Sequence, residues 1–142
     1  MRLLVTGGAG FIGSNFIRYI LKKYPDYEVV NLDLLTYAGN LENLRDVEKN
    51  PNYRFVKGDI GDLESNEALL KKEKINIIVN FAAESHNGRA AIEPDIFVKT
   101  NVLGTQMLLE AARRAGSIDR FHHISTCEVF GDLDLNENRS FK

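Results

Sequence analysis

The 142-residue sequence has a single cysteine, Cys127, and only three histidines. One cysteine excludes a disulfide within this chain and a metal cluster held by cysteines, and it favours a reducing, cytoplasmic setting. His86, His122 and His123 are too scattered to indicate a metal site. We therefore expect no bound metal.

The sequence also lacks an excess of basic residues and a long hydrophobic run. Lysine and arginine number 18 against 20 acidic residues, so neither nucleic acid nor an anionic membrane is the expected partner. MRLLVTGG is too short for a signal peptide, and INIIVNFAA, interrupted by Asn76 and Asn80, is too short to span a bilayer. We expect a globular domain without a membrane role.

The sequence does contain a regular alternation of short β-rich runs and longer helical patterns. The predicted strands are 2–6, 27–32, 53–57, 75–81 and 120–126, and the predicted helices are 11–23, 40–49, 63–73 and 92–115. Near-continuous apolar strands joined by helices are typical of a parallel sheet that is buried on both faces. The pattern predicts one α/β domain, a doubly wound parallel sheet with the strand order 3-2-1-4-5.

The apolar pattern in the last third of the chain predicts that this part packs against further protein segments. Apolar residues of the helix 92–115 fall on more than one face, so a second packing partner is expected. The fifth strand would be an unpaired sheet edge, which most domains cover, and no clear period follows Glu128. We expect the chain to be the front part of a longer protein.

A glycine-rich segment, VTGGAGFIGSN, follows the first predicted strand and opens the first helix. Gly8, Gly10 and Gly13 fit the pattern G-x-G-x-x-G, and an overlapping match begins at Gly7; such glycines permit a tight turn and close approach of a pyrophosphate to the helix. Asp33 lies twenty residues beyond Gly13, where a carboxylate accepts hydrogen bonds from the adenine ribose and repels a 2′-phosphate. Together these residues predict a Rossmann-type site that prefers NAD to NADP.

Two further segments end predicted strands at the edge where open α/β sheets bind ligands. Asp59, in GDI, is placed either to receive the adenine amino group or to form an Asx turn or helix cap, and the sequence leaves both open. Ala82 and Ala83, in FAAES, are small enough for a cofactor to lie against the backbone.

The segments TGGAGFIGSN, DLLTYAGNLENL, GDI, NFAAESH and HISTCEVFGDL, in this order and spacing, resemble the nucleotide-sugar 4,6-dehydratases of the extended short-chain dehydrogenase/reductase superfamily. The resemblance covers the whole chain. It implies an NAD-dependent cycle on a nucleotide-sugar substrate such as dTDP-glucose: C4 is oxidised, a base takes the C5 proton, an acid protonates the departing C6 hydroxyl, and hydride returns to C6. It also implies a homodimer formed through the helix 92–115.

The same resemblance implies which residues hold NAD. Those facing the pyrophosphate are Gly7, Gly10, Phe11, Ile12 and Gly13. Those at the adenosine end are Asp33, Thr36, Ala38 and Asn40, with Asp59 and Ile60 near adenine. Those lining the nicotinamide side are Ala82, Ala83, Ser85, Thr100 and Ser125.

The implied catalytic residues lie in STCEVFG. Thr126 would bond the C4 oxygen of the sugar and Glu128 would be the base at C5, whereas the residues alone favour a capping threonine and a solvated glutamate. The family pattern is Ser-Thr-Asp-Glu-Val-Tyr-Gly, so Cys127 stands where the acid is expected and Phe130 replaces the tyrosine. A thiol is a poor substitute for a carboxylic acid, and a buried, inert cysteine is the alternative.

Two other departures concern the substrate side. SHNGRA stands where the family has Ser-His-Val-Asp-Arg-Ser, so Asn87, Gly88 and Ala90 differ. The family's Tyr-x-x-x-Lys pair, which takes the C4 hydroxyl proton and holds the nicotinamide ribose, is expected beyond this chain together with a C-terminal substrate domain. We therefore predict that the chain alone binds NAD without turnover. A non-catalytic dinucleotide-binding or scaffold protein and a related epimerase or reductase are the alternatives.

Overall fold

The computed structural model describes residues 1–131, which form a five-stranded sheet with helices on both faces. The strands are β1 (Arg2–Thr6), β2 (Glu28–Asp33), β3 (Tyr53–Lys57), β4 (Ile77–Asn80) and β5 (Arg120–His123). They lie in the order 3-2-1-4-5, and every neighbouring pair is parallel. The predicted α/β class and strand order are confirmed.

Within residues 1–131, five α-helices connect and follow these strands. They are α1 (Phe11–Lys23), α2 (Leu63–Lys72), α3 (Asn87–Ala90), α4 (Pro94–Phe97) and α5 (Thr105–Ala115). Helix α2 begins where the Asp62 side chain accepts a hydrogen bond from the Ser65 amide, and α5 ends at Gly116 in the left-handed conformation usual after a helix. Within residues 1–131, none of the helices has the length and hydrophobicity that a bilayer crossing requires.

The core consists of two apolar clusters, one on each face of the sheet. Alternation along β1 sends Leu4 to the face covered by α2 and α5, and sends Leu3 and Val5 to the face covered by α1. The first cluster also contains Val30, Leu32, Ile60, Leu70, Ile75, Ile78, Leu108, Ala111 and Ala112. The second also contains Ile17, Ile20, Leu21, Val29, Leu44 and Val79. The central strands are therefore buried on both faces, as predicted.

The edge strand β5 is shorter than the predicted strand 120–126. It ends at His123 instead of residue 126, and its residues are exposed except for the half-buried Phe121. The physical reason is that β5 pairs with β4 alone, and no other strand of residues 1–131 covers its outer edge. A 3₁₀ turn at Cys127–Phe130, which the sequence did not predict, follows the strand.

The predicted helix 40–49 is wrong. The segment contains a 3₁₀ turn at Leu41–Leu44 and irregular turns after it. Its apolar residues Leu41, Leu44 and Val47 recur every three positions, which matches the three residues per turn of a 3₁₀ helix and not the α period. The amide of Val47 accordingly donates to the carbonyl of Leu44, three residues back.

The predicted helix 92–115 begins at Pro94 and is divided by a π-helical segment, Val98–Gly104, between α4 and α5. The π-helical segment, whose turns are wider than those of an α-helix, makes two contacts with other parts of the chain. Asn101 pairs with the backbone of Glu84, and a Cβ on Gly104 would lie 3.0 Å from the side chain of Ile60. Helix α3, just before it, was not predicted.

Candidate functional site

The carboxyl ends of the central strands meet at one edge of the sheet and carry the candidate site. Thr6 at the end of β1 is paired with Leu32 of β2 and with Asn80 of β4. Three connections therefore start side by side: the glycine turn after β1, the loop after β2 and the loop after β4. Ligands of open α/β sheets bind in this position.

Close backbone packing explains two glycines of the turn. Gly7 has a φ of +66°, and a Cβ there would lie 2.7 Å from the backbone nitrogen of Ala82. A Cβ on Gly13 would collide with the carbonyl oxygen of Gly7. A side chain at Gly7 would push the turn from the loop after β4, and one at Gly13 would push α1 from the turn.

The N-terminus of α1 is open toward solvent. Gly10 caps the helix with no side-chain hydrogen bond, and the first turn contains no acidic residue. A Cβ on Gly10 would approach only the Gly7 oxygen, at 3.3 Å, and the following Phe11 and Ile12 are 82% and 63% exposed. Because the first amides of a helix lack partners within the helix, this end suits a phosphate group.

Position 8 requires a glycine for a separate reason, which was not predicted from the sequence. A Cβ on Gly8 would collide with the side-chain oxygen of Asn31, a fully buried residue of β2. The Asn31 amide nitrogen donates to the Tyr53 hydroxyl at 3.0 Å. A buried polar residue therefore lies directly under the turn.

Asp33 ties the glycine turn to the loop after β2. One carboxylate oxygen accepts from the amide of Ala9 at 2.9 Å, and the other accepts from the amide of Leu35 at 2.8 Å. A Cβ on Gly39 would lie 2.8 Å from the second oxygen. The carboxylate thus shapes the site, and each oxygen keeps acceptor capacity for a ligand.

Asn40 also supports the turn. Its amide donates to the carbonyl of Ala9 at 3.1 Å, while its side-chain oxygen accepts from the amide of Glu42 and caps the 3₁₀ turn. Thr36 and Ala38, the other predicted adenosine contacts in this loop, are exposed.

Asp59 and Ile60 follow β3 and have different surroundings. Asp59 accepts from the amide of Gly61 at 2.8 Å, so the Asx turn is confirmed. Asp59 also lines a groove of about 410 Å³ beside α2, with Leu32 and Asn66. The Ile60 side chain is buried in the core, which leaves only its backbone for contact with a ligand.

The residues predicted for the nicotinamide side lie on three segments: Ala82, Ala83 and Ser85 follow β4, Thr100 lies in the π-helical segment, and Ser125 follows β5. Ala82 and Thr100 are half-buried, whereas Ala83, Ser85 and Ser125 are exposed. A polar chain supports this end of the sheet: Thr6 accepts from the Ala82 amide at 3.3 Å and donates to Asn80, whose side-chain nitrogen contacts His123 at 3.1 Å.

The three predicted catalytic residues lie together after β5. Thr126 precedes the 3₁₀ turn, and its hydroxyl donates to the carboxylate of Glu128. All three side chains are exposed, so the alternative of a buried, inert Cys127 is wrong. The turn thus presents a hydroxyl, a thiol and a carboxylate on a short segment at the carboxyl end of the sheet.

Two tyrosine–lysine pairs in the described residues have the spacing Tyr-x-x-x-Lys, but neither tyrosine lies at the candidate site. Lys23 ends α1, about 18 Å along the helix from the glycine turn, and donates to the Tyr19 hydroxyl, which raises the pKa of Lys23. Tyr53 begins β3, opposite the strand end that leads to the site, and its partner Lys57 ends it. Burial raises the pKa of Tyr53, which disfavours a phenolate base.

Arg89 forms ionic contacts with Glu84 and Glu93 and stacks on Tyr37, and none of these contacts was predicted from the sequence. The spacing of Arg89 and Glu93 indicates a helical ion pair, but nothing in the pattern joins Arg89 to the distant Tyr37.

The parallel sheet in the order 3-2-1-4-5 and the glycine turn after β1 define a Rossmann-like α/β domain. Residues 4–142 match the family model described as GDP-mannose 4,6 dehydratase. The chain belongs to the GDP-mannose 4,6-dehydratase family.

Individual relatives agree with this assignment. The chain is 51% identical to dTDP-glucose 4,6-dehydratase of Mycobacterium tuberculosis, over 99% of this chain and 41% of the relative. It is 55% identical to the low-salt glycan biosynthesis protein Agl12 of Haloferax volcanii, over 94% of this chain and 42% of that protein. The chain thus spans about two-fifths of the length of these relatives.

A solved structure gives the same result. The dTDP-glucose 4,6-dehydratase DesIV of Streptomyces venezuelae, with NAD and TYD bound, matches with a TM-score of 0.88 and 51% identity. The match covers 94% of this chain and 42% of that one.

Proposed function

We propose that this chain forms the NAD-binding part of a nucleotide-sugar 4,6-dehydratase that acts on dTDP-glucose. The observation that carries the proposal is the open N-terminus of α1 beside the Asp33 carboxylate, at the carboxyl edge of the sheet. The 51% identity to a dTDP-glucose 4,6-dehydratase supports the substrate. A UDP-glucose-4-epimerase from Stenotrophomonas maltophila is 29% identical, so the dehydratase is favoured over an epimerase.

The proposed cofactor contacts divide between the two sides of the glycine turn. The amides of Phe11, Ile12 and Gly13 hold the pyrophosphate, and Asp33 accepts from the adenine ribose. Gly7 and Gly10 also face the pyrophosphate. Further contacts of the adenosine end are Thr36, Ala38, Asn40, Asp59 and the Ile60 backbone. The contacts of the nicotinamide side are Ala82, Ala83, Ser85, Thr100 and Ser125. NAD would supply the hydride acceptor for C4 of the sugar and the hydride donor for C6.

The proposed catalytic groups are those of the 3₁₀ turn after β5. Thr126 donates a hydrogen bond to the C4 oxygen, and Glu128 takes the C5 proton as a general base. The Thr126 hydroxyl that donates to Glu128 has a single proton, so it would turn to the C4 oxygen when substrate binds. The closeness and the exposure of the two side chains support a common role at one substrate. Cys127 occupies the position of the acid, and its exposed thiol is a weaker proton donor to the departing C6 hydroxyl than a carboxylic acid would be.

We further propose a homodimer through the helical segment 92–115 and a cytoplasmic location. The dimer is supported by apolar side chains exposed along this segment, which are Ile92, Val98, Val102, Leu103 and Leu109. The location rests on the single cysteine, Cys127.

The test combines binding and turnover in one sample of the purified chain. We expect saturable NAD binding by calorimetry and no 4-keto-6-deoxy product when dTDP-glucose is added, because no tyrosine–lysine pair of the described residues lies at the site. Absence of NAD binding would contradict the cofactor assignment. Product formation above a no-protein control would contradict the proposal that further residues complete the active site.

A further inference from the structure

The guanidinium group of Arg89 connects two loops that lie on opposite sides of the proposed cofactor site. Its central carbon is 4.5 Å from the centroid of the Tyr37 ring. Tyr37 belongs to the loop after β2, whereas Arg89 lies in α3, which directly follows the loop after β4. Stacking of a planar cation on an aromatic ring is attractive and favours one geometry.

Two carboxylates fix the other side of this guanidinium. One nitrogen donates to Glu93 at 2.9 Å, and another lies 3.5 Å from the carboxylate of Glu84. The hydrogen bond to Glu93 raises the pKa of Arg89, and the charge of Glu84 acts in the same direction. Because both carboxylates and the ring occupy Arg89, it is poorly placed to serve as a ligand for phosphate.

Glu84 is itself held firmly. Its side chain is 5% exposed, and its nearer carboxylate oxygen has no hydrogen-bond partner among residues 1–131, so Arg89 is the charge that compensates it. Its backbone amide and carbonyl both bond the Asn101 side chain, at 2.8 and 2.9 Å. The loop after β4 is thereby attached to the π-helical segment, and Arg89 extends that attachment to Tyr37.

The three connections at the carboxyl edge therefore contact one another in pairs. The glycine turn contacts the loop after β2 through Ala9 and Asp33, and it contacts the loop after β4 through Gly7 and Ala82. The stack of Arg89 on Tyr37 adds the contact between the two loops. We propose that Arg89 is a positioning residue that holds these loops at the separation required by the whole dinucleotide.

This inference rests on the proposed function, and it predicts different effects on the binding of NAD and of ADP. NAD spans both loops, whereas ADP occupies only the glycine turn and the adenosine side. Loss of the stack should therefore weaken NAD binding selectively. Damage confined to the loop after β2 would weaken NAD and ADP together.

The experiment compares calorimetric dissociation constants of NAD and ADP for the purified chain and its variants. Tyr37→Ser removes the ring but leaves both ion pairs of Arg89, and Tyr37→Phe is the matched control because it keeps the ring. We expect Tyr37→Ser and Arg89→Gln each to raise the dissociation constant of NAD about tenfold and that of ADP less than about twofold. The double variant should lose no more NAD affinity than Arg89→Gln alone, because Arg89→Gln already removes the stack and also leaves the buried Glu84 carboxylate without its compensating charge.

The outcomes separate the two proposals. Wild-type protein that binds neither ligand contradicts the proposed function and the positioning role with it. Wild-type binding with equal losses of NAD and ADP affinity in Tyr37→Ser, or with no loss, overturns the positioning role alone. Thermal unfolding of each variant shows whether the variant is still folded. Because the Tyr37 side chain is exposed, we expect substitutions of Tyr37 to leave the fold intact.

Discussion

Gly7→Ala is expected to lower the free energy of unfolding by about 3 kcal/mol, the sum of a conformational and a steric cost. The conformational cost arises from the φ of +66°, which disfavours a residue with a Cβ. The steric cost arises because that Cβ would lie 2.7 Å from the backbone nitrogen of Ala82, and backbone cannot give way as a flexible side chain can. Urea unfolding followed by circular dichroism measures the loss.

Gly116→Ala is the matched control for this prediction. Gly116 has a similar φ of +71°, but no described atom lies within 4 Å of the Cβ position. Only the conformational cost applies, and we expect a loss of about 1 kcal/mol. Equal losses in the two variants would contradict the close approach of the glycine turn to the loop after β4.

Asp33→Ala is expected to weaken NAD binding about 100-fold in a calorimetric titration, because it removes charge-assisted hydrogen bonds of the turn and of the ribose. In the protein the carboxylate holds the amides of Ala9 and Leu35. Without it, the turn and the loop after β2 lose a shared anchor. Unchanged NAD affinity would show that this carboxylate does not belong to the binding site.

Asp33→Asn separates the acceptor from the charge. The asparagine amide keeps one oxygen acceptor, so we expect the affinity for NAD to fall only about tenfold. The loss of negative charge also removes repulsion of a 2′-phosphate, and the preference for NAD over NADP should narrow. A preference that is the same in wild type and Asp33→Asn would mean that other residues set it.

The strand order and the glycine turn were predictable because they depend on local rules. Apolar strands that alternate with helices permit few sheet topologies, and a glycine pattern between a strand and a helix has few structural uses. The end of β5 at His123 was harder to predict, because the length of an edge strand depends on its pairing with β4.

Helix type was less predictable than helix position. Leu41, Leu44 and Val47 fit a 3₁₀ period, yet such short repeats also fit one side of an α-helix. The π-helical segment at Val98–Gly104 accompanies contacts with Glu84 and Ile60, which are distant in sequence.

Two structural features of the candidate site follow from local rules. Gly7 has a left-handed backbone, which favours glycine, and Asp33 ends β2 at the carboxyl edge of the sheet. The stack of Arg89 on Tyr37 was not predictable, since the two residues are far apart in sequence and meet only through the fold. The role of Asn31 under Gly8 was hidden for the same reason.

The most direct test of the account is an NMR titration of the isotope-labelled chain with NAD, followed at the backbone amides. The account predicts that the largest shifts occur at Phe11, Ile12 and Gly13, whose amides would bond the pyrophosphate, with further shifts near Asp33. Shifts that avoid these amides, or no shifts at a saturating concentration of NAD, would contradict the central claim that the N-terminus of α1 forms the dinucleotide site.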